Sequence, residues 1–148
     1  MTAFRAATLA AVVWFASGAA AFGAEHTVEM LNKGADGERM VFVPSVIHAE
    51  PGDTIRFIST DKSHNSESIK GAIPEGAEPW KTKLNKDAEI TVSAPGIYAY
   101  KCSPHFGMGM VGVIVVGGST ENLEEVSETR YPGKAKQRMA AILEEIGQ

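Results

Sequence analysis

Short runs of apolar or alternating residues recur through residues 25–116, each stopped by Gly, Pro, Asn or Asp, and this rhythm constrains the fold more than any other feature. Period-two alternation bounded by turn residues is the signature of half-buried strands. The spacing predicts strands over 26–31, 40–43, 46–49, 54–59, 88–93, 97–102 and 111–116. Pro44 suits an edge strand or a bend, because it offers the ladder no N–H. In Glu50-Pro51-Gly52-Asp53 and Ala94-Pro95-Gly96, Pro presets φ and Gly accepts positive values, so both are turns. Residues 54–59 alternate through Ile55 and Phe57, and Val111 to Val116 is apolar enough for burial on both faces. Regular short strands of this kind predict an antiparallel sandwich or barrel.

Two stretches break the rhythm. Residues 60–85 are polar and carry Gly71, Pro74, Gly76 and Pro79, which predicts a functional or self-packed loop. After Gly117-Gly118 the strands give way to helix signals. Ser119 or Thr120 can cap a short helix containing Glu121, Glu124 and Glu125, and Pro132 can open a second. Ala135, Met139, Ile142, Leu143 and Ile146 then share one helical face, the pattern of an appendage packed on the domain's own core.

The N-terminus has a different character. Arg5 is followed by an uncharged apolar run over 7–22 that ends among small residues, the order of a secretory signal peptide. Ala19-Ala20-Ala21 offers a cleavage site, as do Gly23 and Ala24, so residues 1–24 read as leader, 25–117 as the β domain and 118–148 as its helical extension. A membrane anchor needs about 20 apolar residues, and no later segment is long enough, so no stable membrane association is expected after cleavage. Export to a periplasm follows. The net charge of -4 gives no general attraction to nucleic acid.

Exported domains usually pair their cysteines, yet this chain has one, Cys102. A free thiol in an oxidising compartment needs burial or a metal. Its surroundings decide for the metal. Lys101-Cys102-Ser103-Pro104-His105-Phe106-Gly107-Met108-Gly109-Met110 lies between two predicted strands and follows the spacing C-x2-H-x4-M. Thiolate, imidazole and thioether form a soft donor set, and two His, one Cys and a weak axial Met make the blue-copper arrangement. His64, just past the strand at 54–59, is placed to supply the second imidazole. His26 and His48 read as surface histidines with nothing to pair with. Zinc accepts Cys and His but disfavours thioether, and a Cys–His nucleophile needs an opposed, oriented base rather than one three positions away across a Pro. On spacing alone, Met108 and Met110 are both open as the axial group.

From residue 25 onward the chain resembles the pseudoazurins, a family of bacterial periplasmic cupredoxins. The likeness rests on the Cys102 loop, on Asp61-Lys62-Ser63-His64-Asn65 with Glu67-Ser68-Ile69-Lys70, on Ile73-Pro74-Glu75-Gly76-Ala77-Glu78, on Met30-Leu31-Asn32-Lys33-Gly34, and on the helical tail. Two departures stand out: the loop before Met40 is one residue longer than usual, and Ser63 replaces a common Gly. The resemblance implies a Greek-key β-sandwich of about eight strands with two C-terminal helices. It also implies a single-electron carrier rather than an enzyme, with one copper ion held by His64, Cys102, His105 and Met110. Asn65, Ser103 and Pro104 fall at the family's surrounding positions. There the Asn65 side chain joins the two ligand loops, and Pro104 lacks an N–H for the thiolate. The edge of His105 is implied to reach the surface in an apolar patch with Met40, Pro104 and Met108, ringed by Lys33, Lys62, Lys81 and Lys101. The implied partners are a copper-containing nitrite reductase or another periplasmic redox enzyme, with a c-type cytochrome or quinol-linked donor, served by a monomer. A copper storage or delivery protein is the alternative from a different class.

Overall fold

Alternation decides how the strands stack. In the computed structural model, which describes residues 23–148, β1 (Glu25–Lys33) turns Val28 and Met30 inward. β2 (Arg39–Val43) contributes Phe42 to the same face. After β3 (Val46–Ala49) crosses to the other sheet, β4 (Thr54–Ile58) adds Ile55 and Phe57. β5 (Glu67–Ser68), β6 (Ala88–Thr91), β7 (Gly96–Lys101) and β8 (Val111–Val116) complete the framework. The first sheet has the order β2-β1-β4-β6 and the second β3-β8-β7-β5. Pro44 sits where the chain passes from β2 to β3, each at the edge of its sheet.

The expected all-antiparallel pairing needs correction, because each sheet is mixed. β1 runs parallel to β4, with His26 opposite Ile55, and β3 runs parallel to β8, with Ile47 opposite Ile114. Side-chain alternation reports which face is buried and carries no information on the direction of the neighbouring strand. The crossings between sheets set that direction.

β7 and β8 form a middle layer that is buried on both sides. Tyr98, Tyr100 and Cys102 face the inter-sheet core, whereas Ile97 and Ala99 face the helices, as do Val111 and Val113 of β8. Tyr100 meets Phe42 and Phe57 edge-on, at ring-centroid separations of 4.8 Å and 5.2 Å. Burial of each such side chain contributes roughly 1.5–3 kcal/mol. Cys102 therefore follows directly on a strand buried along almost its whole length.

The helices are α1 (Leu123–Glu128) and α2 (Lys134–Ile146). Ala135, Met139, Ile142 and Leu143 are buried against the outer face of the middle layer, with Ile146 partly so. Both helices start later than predicted. Asn122 rather than Ser119 or Thr120 precedes α1 and does not cap it. Its amide instead accepts from the Ile97 N–H and donates to the Ile97 carbonyl, both at 2.8 Å, pinning α1 to β7. Gly133, one residue past Pro132, stands at the start of α2. Among the described residues no helix is long and apolar enough to cross a membrane. The apolar leader run over 7–22 lies outside the described residues.

The polar stretch 60–85 packs on itself and on the core. β5 lies within it, and the Trp80 ring stacks on Phe57 at 6.4 Å while its Nε1–H donates to Ser66 Oγ at 3.0 Å.

Candidate metal centre

Two loops meet at one end of the sandwich. The Cys102 loop leaves β7, makes a 3₁₀ segment over Ser103–Met108 and returns as β8. The Cys102 N–H donates to the Met110 carbonyl at 3.0 Å, and the Met110 N–H donates to the His105 carbonyl at 3.2 Å, so the loop closes on itself. The other loop follows β4. It needs a left-handed residue before His64, and Ser63 adopts φ 72° there. That explains why glycine suits this position, since a side chain in that region costs about 1–2 kcal/mol. Asn85 holds the turn: its Oδ1 accepts from the Ser63 N–H at 2.6 Å, and its own N–H donates to the His64 carbonyl at 3.1 Å.

The loops bring three donor atoms together. Cys102 Sγ lies 3.7 Å from His64 Nδ1 and 3.5 Å from His105 Nδ1, and the two Nδ1 atoms are 3.1 Å apart. An ion centred in such a triangle at zinc-like lengths, about 2.0 Å to nitrogen and about 2.3 Å to sulfur, separates nitrogens by about 3.5 Å and nitrogen from sulfur by about 3.7 Å. The cradle fits one metal ion. Met110 is fully buried beside it in the inter-sheet core, while Met108 is 46% exposed. Burial thus separates two methionines that spacing could not. Among the described residues this is the one cluster of three or more His, Cys, Asp or Glu side chains able to share an ion.

Hydrogen bonds choose the tautomer of His64. Its Nε2 lies 3.0 Å from Asn32 Oδ1, which can only accept, so Nε2 carries the proton and Nδ1 presents its lone pair to the centre. Asp61 accepts from the Asn32 N–H at 2.7 Å, extending the support by one residue. Burial pushes the His64 imidazole below its ordinary value, the nearby His105 adds to this, and Asp61 opposes it. A neutral imidazole is the form a metal takes. Burial pushes the Cys102 thiol up, against the opposing backbone N–H groups of Asn65 and His105, so metal uptake must displace its proton.

Asn65 ties the loops to each other. Its Oδ1 accepts from the Ser103 N–H at 2.8 Å, and its Nδ2 donates to Ser103 Oγ at 3.0 Å and to the Thr82 carbonyl at 3.3 Å. Ser103 Oγ donates in turn to Glu67 at 2.5 Å. Pro104 opens the 3₁₀ segment and is exposed. Asn32, Asp61 and Glu67 entered the sequence reading only as motif residues without a role, and Thr82 and Asn85 not at all. Asn and Asp in loops are ordinary turn residues until the fold supplies their partners.

The outer residues divide. Lys33 and Lys62 are exposed, and Met40 is partly buried against the core with φ 54°. Lys81 and Lys101 share Glu67, at 3.4 Å and 4.0 Å, and the Lys101 ammonium also lies 4.9 Å from the Phe106 ring centroid. Hydrogen bonding to Ser103, with help from both lysines, keeps the Glu67 carboxyl below the usual range. His48 is exposed, as expected. The reading of His26 as unpaired is corrected: its Nε2 lies 2.8 Å from Asp53 Oδ2, because the parallel β1–β4 pairing brings the turn before β4 alongside it.

The family described as copper binding proteins, plastocyanin/azurin family, matches residues 28–117. The pseudoazurin of Paracoccus pantotrophus is 50% identical over 137 residues, covering 93% of this chain and 94% of its own length. The structure of a pseudoazurin from Sinorhizobium superposes with a TM-score of 0.80 at 55% identity, covering 82% of this chain and 95% of that one. Native pseudoazurin from Hyphomicrobium denitrificans gives 0.80 at 42%, covering 84% and 100%. These relatives are electron carriers rather than enzymes, and copper is their cofactor. With His64, Cys102, His105 and Met110 arranged as a type 1 copper site within a cupredoxin fold, the chain belongs to the pseudoazurin family of blue copper electron carriers.

Proposed function

We propose that the chain is exported to a periplasm, sheds its first 21 to 24 residues on the way, and relays single electrons there as a monomer. Its acceptor in this reading is a copper-containing nitrite reductase or another periplasmic redox enzyme, and its donor a c-type cytochrome or a quinol-linked protein. Copper held by His64, Cys102, His105 and Met110 supplies a one-electron couple between Cu(II) and Cu(I).

One observation carries the reading: burial is uneven within the donor set. His64, Cys102 and Met110 have no exposure, whereas His105 is half-buried between exposed Pro104 and Met108. The protein closes three sides of the centre to water and substrate and leaves one imidazole close to solvent. Such a centre can pass an electron through His105 without admitting anything larger. Asn65 and Ser103 hold the two loops at fixed separation, which limits rearrangement between oxidation states. Met40, Pro104 and Met108 form the apolar contact, and Lys33, Lys62, Lys81 and Lys101 steer an acidic partner toward it.

The test uses the mature protein loaded with Cu(II). An intense visible band should bleach with reductant and return with oxidant. A pale solution that loses copper quickly to a chelator would instead indicate storage or delivery. Electron transfer to a purified copper nitrite reductase, followed by stopped flow, should slow as salt rises. Replacing the four lysines by Ala should slow it at low salt and flatten that dependence; an unchanged slope would remove the docking proposal. The intact mass of protein recovered from the periplasm reads the cleavage point.

A further inference from the structure

The helical tail does more than cover the middle layer. Arg138, near the middle of α2, keeps only 16% of its side chain exposed and points its guanidinium at the ligand end of the sandwich. Nη1 donates to the carbonyls of Met40 and Gly109, both at 2.8 Å. Nη2 donates to the Arg39 carbonyl at 2.9 Å and to the Glu38 carboxylate. Lys134 reaches the same carboxylate at 2.7 Å. Four N–H groups in one plane are thus spent on three backbone carbonyls and one anion. An ammonium has three donors on a single atom and cannot span that set.

The acceptors are informative. Gly109 precedes Met110, and the Met110 backbone is bonded to both Cys102 and His105. Met40 is a partly buried residue held at φ 54°. Glu38 lies in the loop before Met40 that exceeds the family's usual length. Gly109 itself makes the approach possible, since a Cβ there would stand 2.9 Å from Arg138 Cδ.

We propose that Arg138, oriented by Glu38, is a positioning residue for the copper centre: it holds the Gly109–Met110 peptide and Met40 in place, and so fixes how closely the Met110 thioether engages the metal. The spectral part of this inference rests on the copper assignment above. The backbone part does not. A free Gly109 carbonyl lets the Met110 peptide open locally, and a weaker thioether stabilises Cu(II) less, so the reduction potential rises.

The test compares Arg138→Gln and Arg138→Lys with Lys136→Gln, an exposed control on the same helix. In copper-free protein, amide exchange at Met110 should quicken at least tenfold in both Arg138 variants and stay unchanged in the control. In copper-loaded protein, the same variants should show a shifted visible spectrum and a raised potential. Should Arg138→Gln fail to fold, Glu38→Gln leaves the guanidinium without its anion and should show both changes at smaller amplitude. Wild-type exchange at Met110 would overturn the proposal, whatever the copper data. Faster exchange with an unaltered spectrum and potential would also overturn it, reducing Arg138 to a structural tie.

Discussion

The two ligand loops solve the same problem in opposite ways. The loop carrying His64 is held by side chains: Asn32 of β1 fixes the ring, Asp61 fixes Asn32, and Asn85 closes the turn. The Cys102 loop is held largely by its own backbone, through bonds that join Cys102, His105 and Met110. The first loop buries its imidazole completely, while the second leaves His105 half-buried. An inward ligand can be locked by side chains from a neighbouring strand and from its own loop. An outward ligand must stay near solvent, so the loop's internal geometry has to keep it in place. The contrast teaches where each site is vulnerable: loss of a supporting side chain should reach His64, and disturbance of the loop backbone His105.

The contrast is broken most completely at Cys102, the donor both imidazoles share. Cys102→Ala should abolish the visible band, because the thiolate supplies the charge transfer; a retained band in an absorption spectrum would refute the assignment. Asn32→Ala sharpens the contrast by loosening only the inward ligand. Copper affinity should fall roughly 10- to 100-fold in chelator competition, the usual loss when a ligating His loses its outer partner. Asn65→Ala cuts the tie between the loops and leaves the Ser103 N–H without its acceptor. It should cost about 1–3 kcal/mol in urea denaturation of the copper-free protein. The smallest effect lies at Glu38, whose carboxyl is held down to about 2 by hydrogen bonds first from Lys134 and then from Arg138. Its stabilisation is fully present above the ordinary value of 4.5 and is lost as pH falls from there through about 2. Glu38→Gln should flatten that acid limb of stability slightly, since Glu38 and Lys134 are exposed. The limb is read from denaturation midpoints against pH.

Much of the framework was legible because it rests on local chemistry. β3 and β8 fall at their predicted limits, since Pro51-Gly52 and Gly117-Gly118 end them, and period-two alternation fills the first while an unbroken apolar run fills the second. The buried stripe of α2 follows from spacing alone. Other features were hidden for a common reason. Asn122 drew no reading of its own, because the partner of its amide, Ile97, lies 25 residues away. His26 looked unpaired because Asp53 lies 27 residues on, brought close only by a parallel pairing.

The sequence by itself determined which atoms could bind copper, because donor softness belongs to the side chain: thiolate, imidazole and thioether are chosen residue by residue. It also determined that Cys102, His105 and Met110 sit on one short loop between strands, because turn chemistry and alternation act over a few residues. Only the tertiary structure decided that Met110 rather than Met108 is buried beside the triangle, that Asn32 selects the tautomer of His64, and that Arg138 grips the ligand loop from α2. The last two are relations between groups 32 and 29 positions apart along the chain. They depend on strand direction and layer order, which no local preference encodes.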